Sequence, residues 1–209
     1  MIPIIALCLA APLEFGLQPL AEDSKYRAEG FTKYTEVTAP NGKAIPIIAQ
    51  KGVRDIAVAR ARNLLKFFLT DVPESKYGSD KSGVANAMAN NHAMLMMPEG
   101  AHREGKEPEI EAQPLFESET PVDGSTWYIK NNWDHRDAAF EEIFHLVHDT
   151  GIGGHMRGAL PAYQRELKAE AIKSLKDDRW GIAIDPHVRD WIKELALEDS
   201  LFKMGHRRL

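Results

Sequence analysis

Between Phe140 and Gly153 the chain reads FEEIFHLVHDTGIG, and in that stretch Glu141, Glu142, His145 and His148 are side chains that bind divalent metals and move protons. Side chains four apart on a helix lie one turn apart, so Glu141 and His145 can approach one Zn2+ together. The residue beside the first donor points to its flank, where a carboxylate can take a proton from water and pass it to a leaving group. Glu142 stands there. The usual helical form of this pattern has two histidines four apart with a glutamate after the first; here Glu141 holds the first histidine's place.

Placed at about 100° per residue, Ala139, Ile143, Leu146, Val147 and Thr150 fall on one side of a helix, with Phe140 and Phe144 widening it. The opposite side gathers Glu141, His145 and His148 within an arc of roughly 60°, flanked by Glu142 and Asp149. Two other readings fit the same residues. A polar face of this kind is ordinarily solvated. Glu142-Ile-Phe-His145 is also the Glu-x-x-His unit of a di-iron bundle, but that site takes two copies on separate helices, and only this one falls on an expected helix. Neither the GxSxG elbow of serine hydrolases nor the full GxxxxGK phosphate loop, with Ser or Thr after its lysine, is present.

This helix must be held by other elements. YTEVTAPNGKAIPIIAQKG alternates β-branched and polar residues around the turn signal PNGK and predicts a hairpin. From Arg54 the period lengthens, and Ala57, Ala61, Leu64, Leu65 and Phe68 form the stripe of a core-facing helix ended by TDVPES. A short helix from Gly83 to about Asn90 follows, then an apolar strand from Ala93 to Met97, whose methionines read as strand core. From Pro98 to Ser125 the chain is rich in Glu, Pro and Gly and reads as a long acidic surface loop lining a cleft, with a preference for basic or neutral substrates. STWYIKNNWD predicts a strand leading into the helix near Asp137, capped by Asp134 or Asp137. Further helices are expected from about Pro161 to Lys176 and from about Pro186 to Leu201. The order of elements predicts an α+β domain over 21–209, with a small mixed sheet, an active-site-type helix and further C-terminal helices.

Composition limits the partners. Of 209 residues 44% are apolar, enough for a core, and a formal charge of -5 without a basic face argues against nucleic acid. The single cysteine, Cys8, excludes an intrachain disulfide and a cysteine-rich zinc site. MIPIIALCLAAPLEFG has the apolar run and small residues of a secretory signal over about 1–20, although no Lys or Arg precedes the run; the rival reading is a buried N-terminal strand. The expected location is secreted, periplasmic or cell-surface. No other stretch has the ~18 apolar residues of a transmembrane span.

On these residues the chain resembles the extracellular zincin-like metallopeptidases, in which an apolar strand, a variable loop and an edge strand precede a helix of the type HEFAHTIHNMGL. EEIFHLVHDTGI then sets Glu141 at the first zinc ligand, Glu142 at the catalytic glutamate, His145 at the second ligand, and His148 and Gly151 at the following histidine and glycine. RARNLLKFFLTDVP, AMLMM and LPAYQRELKAEAIKSLKDDRWG match the family's order of elements, so the resemblance runs from about Arg54 to Gly181. It implies a zincin-like fold, a Zn2+ cofactor and hydrolysis of a peptide or protein substrate. It also implies a third ligand from a later glutamate, for which KELALEDS offers Glu194 or Glu198, with His148 as the alternative. Glu141 in place of histidine departs from the pattern and changes the charge around a bound metal. The ending LFKMGHRRL reads as that of a shortened chain. The competing expectations are a pseudopeptidase that binds a peptide, glycan or protein without chemistry, and a structural domain with no cleft function.

Overall fold

A computed structural model describes residues 14–101, 108–123 and 137–175. Residues 1–13 of the expected leader, the strand expected over 125–134, and the helix expected to carry Glu194 and Glu198 lie outside these residues. The chain divides into two compact units, Met1–Leu160 and Pro161–Leu209.

In the first unit β1 (Gln18–Pro19), β2 (Phe31–Thr38), β3 (Ala44–Gln50), β4 (Leu95–Met97) and β5 (Gln113–Pro114) form a mixed sheet in that order. The predicted hairpin is β2–β3, antiparallel with Thr38 opposite Ala44, and Gly42 takes the left-handed φ of 80° its turn requires. β3, β4 and β5 then run parallel, with Ile47 beside Leu95 and Leu95 beside Gln113. Two helices, α1 (Asp55–Leu69) and α2 (Ser82–Asn90), connect β3 to β4, the crossover that parallel neighbours need. The architecture is mixed α+β.

The unbroken apolar run at β4 has a simple cause. Leu95, Met96 and Met97 are all buried, because a central strand covered on both faces has no wet side to alternate with. Met94 and Met96 pack with Leu20, Phe31 and Ile48, against which Tyr34, Ile110 and Ala112 also lie. These methionines are core. α1 packs on β2 and β3, and its buried positions Ala57, Ala61 and Leu65 are those of the predicted stripe, while Leu64 and Phe68 are partly exposed.

The segment after Pro98 corrects one expectation. Its described part is more than a surface loop: it contributes β5, a 3-10 turn over Glu117–Glu119, and buried Leu115, Phe116, Thr120 and Val122. Two residues of strand, one of them Pro114, are too few to show an alternating pattern.

Helix α3 (Ala139–Val147) follows, continued by a π turn over His148–Ile152. Ala139, Ile143, Leu146, Val147 and Thr150 are buried as predicted. Phe140 departs from this face: it is 53% exposed, although its ring rests 4.6 Å from that of Phe68 on α1. Gly151 is fixed by close approach to α2, since a Cβ there would lie 2.6 Å from Met88 Cγ and 2.8 Å from Val84 Cγ1.

In the second unit α4 (Pro161–Leu175) begins on the proline expected to start it. Its described side chains are mostly exposed, and Lys173 pairs with Glu170 at 3.3 Å. Among the described residues no helix is long and apolar enough to cross a membrane.

Candidate functional site

α3 is clamped at its start. The Asp137 carboxylate accepts from the Ala139 N–H at 3.2 Å and takes both ends of the Arg60 guanidinium, at 3.1 and 2.6 Å, which ties the helix entrance to α1. The cap position itself is Ala138, one residue after the expected Asp137, which reaches the helix start from outside it; Asp134 lies outside the described residues. Glu141 and Glu142 occupy the first turn, where the positive end of the helix dipole favours carboxylates.

The candidate donors on α3 separate into two stripes. On the outer one, Glu141 Oε1 lies 3.9 Å from His145 Nε2, with the side chains 51% and 52% exposed. Donors about 2 Å from a tetrahedral Zn2+ stand roughly 3.4 Å apart, so a small side-chain rotation brings this pair to the spacing of two zinc ligands. His148, one turn further, is turned aside: its ring stacks on Phe144 at 6.0 Å and 17°, and its Nδ1 is 3.2 Å from Asp149 Oδ1. Among the described residues no three His, Cys, Asp or Glu side chains converge as a metal-holding group. Glu194 and Glu198 lie outside the described residues.

Glu142 belongs to the second stripe with Leu146 and Asp149, spaced i, i+4 and i+7. Its Oε2 accepts from Gln113 Nε2 at 2.8 Å, so the carboxylate is oriented by a side chain from β5. Gln113, Leu146 and Asp149 also line a cleft of the first unit, about 850 Å3, whereas Glu141, Glu142 and His145 stand outside its lining. This cleft is therefore on the side of Glu142, whose partner Gln113 lines it, and not over the Glu141–His145 pair.

The cleft has an apolar floor that includes Met94, Ile110, Ala112 and Leu146, and the exposed Met156 also lines it. Its carboxylates are Glu29, Glu109, Glu111 and Asp149; its basic side chains among the described residues are Lys25, His92 and His155. Lys25 Nζ sits 5.1 Å above the Tyr26 ring. Asn91 fixes one wall, donating to the Thr150 carbonyl at 2.7 Å and to the Arg157 carbonyl at 3.1 Å. As expected of the acidic stretch, Glu109 and Glu111 border a cleft. Gln113 and Asn91 escaped the sequence reading, because single amides in polar surroundings carry no spacing signal.

Comparison with known proteins supplies no relative: no family model, curated protein or solved structure matches the chain.

Proposed function

We propose that this chain is a zincin-like hydrolase of variant EExxH type that cleaves a peptide or protein substrate with the help of Zn2+. The observation that carries the reading is the 3.9 Å approach of Glu141 Oε1 and His145 Nε2 on an accessible helix face, next to a glutamate already oriented by a neighbouring strand. Glu141 and His145 would hold the metal, with His148, Glu194 or Glu198 as the sequence's candidates for a third donor. A bound Zn2+ would polarise the scissile carbonyl and acidify water. Glu142 would accept the water's proton on its carboxylate and return it to the leaving amine, with Gln113 keeping that carboxylate from rotating away.

Titrating Zn2+ into chelator-treated protein, followed by casein digestion, tests this directly. The wild-type chain is expected to bind about one Zn2+ and to release peptides, and Glu142→Gln to retain the metal while losing turnover. Hydrolysis that persists unchanged in Glu142→Gln would contradict the assignment of the base.

A second reading is a pseudopeptidase, a binding module without chemistry. It is favoured by the position of the cleft on the Glu142 stripe, away from the Glu141–His145 pair. It predicts ligand binding with no turnover, and digestion that is lost in Glu142→Gln would exclude it.

A further inference from the structure

We propose that the cleft between the segment at 109–113 and the turn after α3 binds an extended peptide carrying Lys or Arg beside an aliphatic residue. This inference goes beyond the metal reading, since Glu141 and His145 take no part in the cleft lining.

Three features combine. At about 850 Å3 the cleft is in the range of pockets that hold a few amino-acid side chains. Its floor is apolar and joined to the core: Met94 belongs to the core cluster, Ile110 and Ala112 pack on that cluster, and the Gln113 N–H donates to the Met94 carbonyl at 2.9 Å. Leu146 supplies the opposite wall from α3 and is 4% exposed. Such a floor takes an aliphatic or aromatic side chain by excluding water.

The rim then selects charge. Four carboxylates, Glu29, Glu109, Glu111 and Asp149, face one lysine, whose ammonium lies over the Tyr26 ring, and two histidines, His92 and His155. Asp149 also faces the His148 ring nitrogen at 3.2 Å. Among the described lining residues, carboxylates outnumber ammonium groups by three, which attracts ammonium and guanidinium groups and repels acidic ligands.

The orientation of the cleft fits a peptide better than a small cation. Its acidic side chains come from separate segments, near residues 29, 109–111 and 149, so their charges are distributed around the opening and suit a ligand with several groups. Adding a strand to the described sheet edges is a poor alternative mode, because β1 and β5 each contain a proline that cannot donate to a ladder.

The test is fluorescence anisotropy with a labelled Leu-Arg-Leu-Arg peptide and its Leu-Gln-Leu-Gln counterpart, in chelator-containing buffer at low and high salt. The wild-type chain should bind the basic peptide at least tenfold more tightly than the neutral one, with affinity falling as salt rises. Glu109→Lys with Glu111→Lys, both at exposed positions, should abolish the preference, whereas His145→Ala should leave it intact. Equal binding of the two peptides, no binding of either, or an unchanged preference in the double variant would overturn the proposal. Because no metal is present, these outcomes are distinct from loss of zinc binding.

Discussion

Two stripes on helix α3, one residue apart in register, meet different surroundings. Glu142, Leu146 and Asp149 face the β5 side: the first is hydrogen-bonded by Gln113 and the other two line the cleft. Glu141 and His145 lie on an accessible surface, half exposed, at 3.9 Å from one another. The difference teaches that metal-type spacing and a binding concavity can be carried by one helix without coinciding. A residue shift of about 100° is enough to move a carboxylate from one environment to the other.

Several substitutions would sharpen or break that contrast. The largest effect is expected on the face that holds both stripes in place. Ile143 is fully buried, so Ile143→Ala should lower unfolding free energy by about 2–5 kcal/mol in a urea titration. A loss below 1 kcal/mol would mean that α3 is not anchored by this face. Gly151→Ala forces a methyl group against Met88 and Val84 and should cost about 1–3 kcal/mol by the same measurement.

Between the stripes themselves the expected difference is smaller and has a sign. Gln113→Ala removes a partly buried donor from Glu142 and should cost about 1 kcal/mol, while Glu141→Ala on the exposed stripe should stay within about 0.5 kcal/mol. Equal costs in the two variants would mean that the two stripes do not differ in their surroundings.

The smallest effect is confined to alkaline pH. Burial raises the Tyr34 hydroxyl well above its usual range, aided by its hydrogen bond to Glu36 and the charge on that carboxylate. A raised folded-state value means that its contribution is complete below about pH 10 and declines as pH rises beyond it, because the unfolded chain ionises first. Tyr34 packs against the core cluster beneath the cleft. Thermal melts of Tyr34→Phe should therefore show a shallower loss of stability above pH 10 than wild type.

Much of the scaffold was legible in the sequence because each signal was local and long enough to repeat. PNGK between alternating segments gave the hairpin; the 3.6-residue stripe from Ala57 to Leu65 gave α1; Ile143, Leu146 and Val147 gave the buried face of α3. β5 was hidden because Gln113–Pro114 is shorter than any period and its burial comes from a distant neighbour, β4. Phe140 was misplaced for a related reason: its angle on the helix wheel is right for a wide apolar face, but α1 covers only part of its ring.

The candidate site was legible as a set of residue types and much less as a place. Spacing brought Glu141 and His145 to the same side of a helix, as the structure does. It grouped Glu142 and Asp149 as flanks of one polar face, whereas contacts from β5 and the segment before it divide them from the outer pair. Such a division depends on chain segments brought close only by folding.

The most direct test of the central claim is zinc content by elemental analysis of the folded chain, after equilibration with Zn2+ and removal of excess, beside His145→Ala. The account predicts close to one zinc per wild-type chain and loss of it in the variant. A well-folded wild-type chain that retains no zinc, or a variant that retains as much, would contradict a metal centre built on Glu141 and His145.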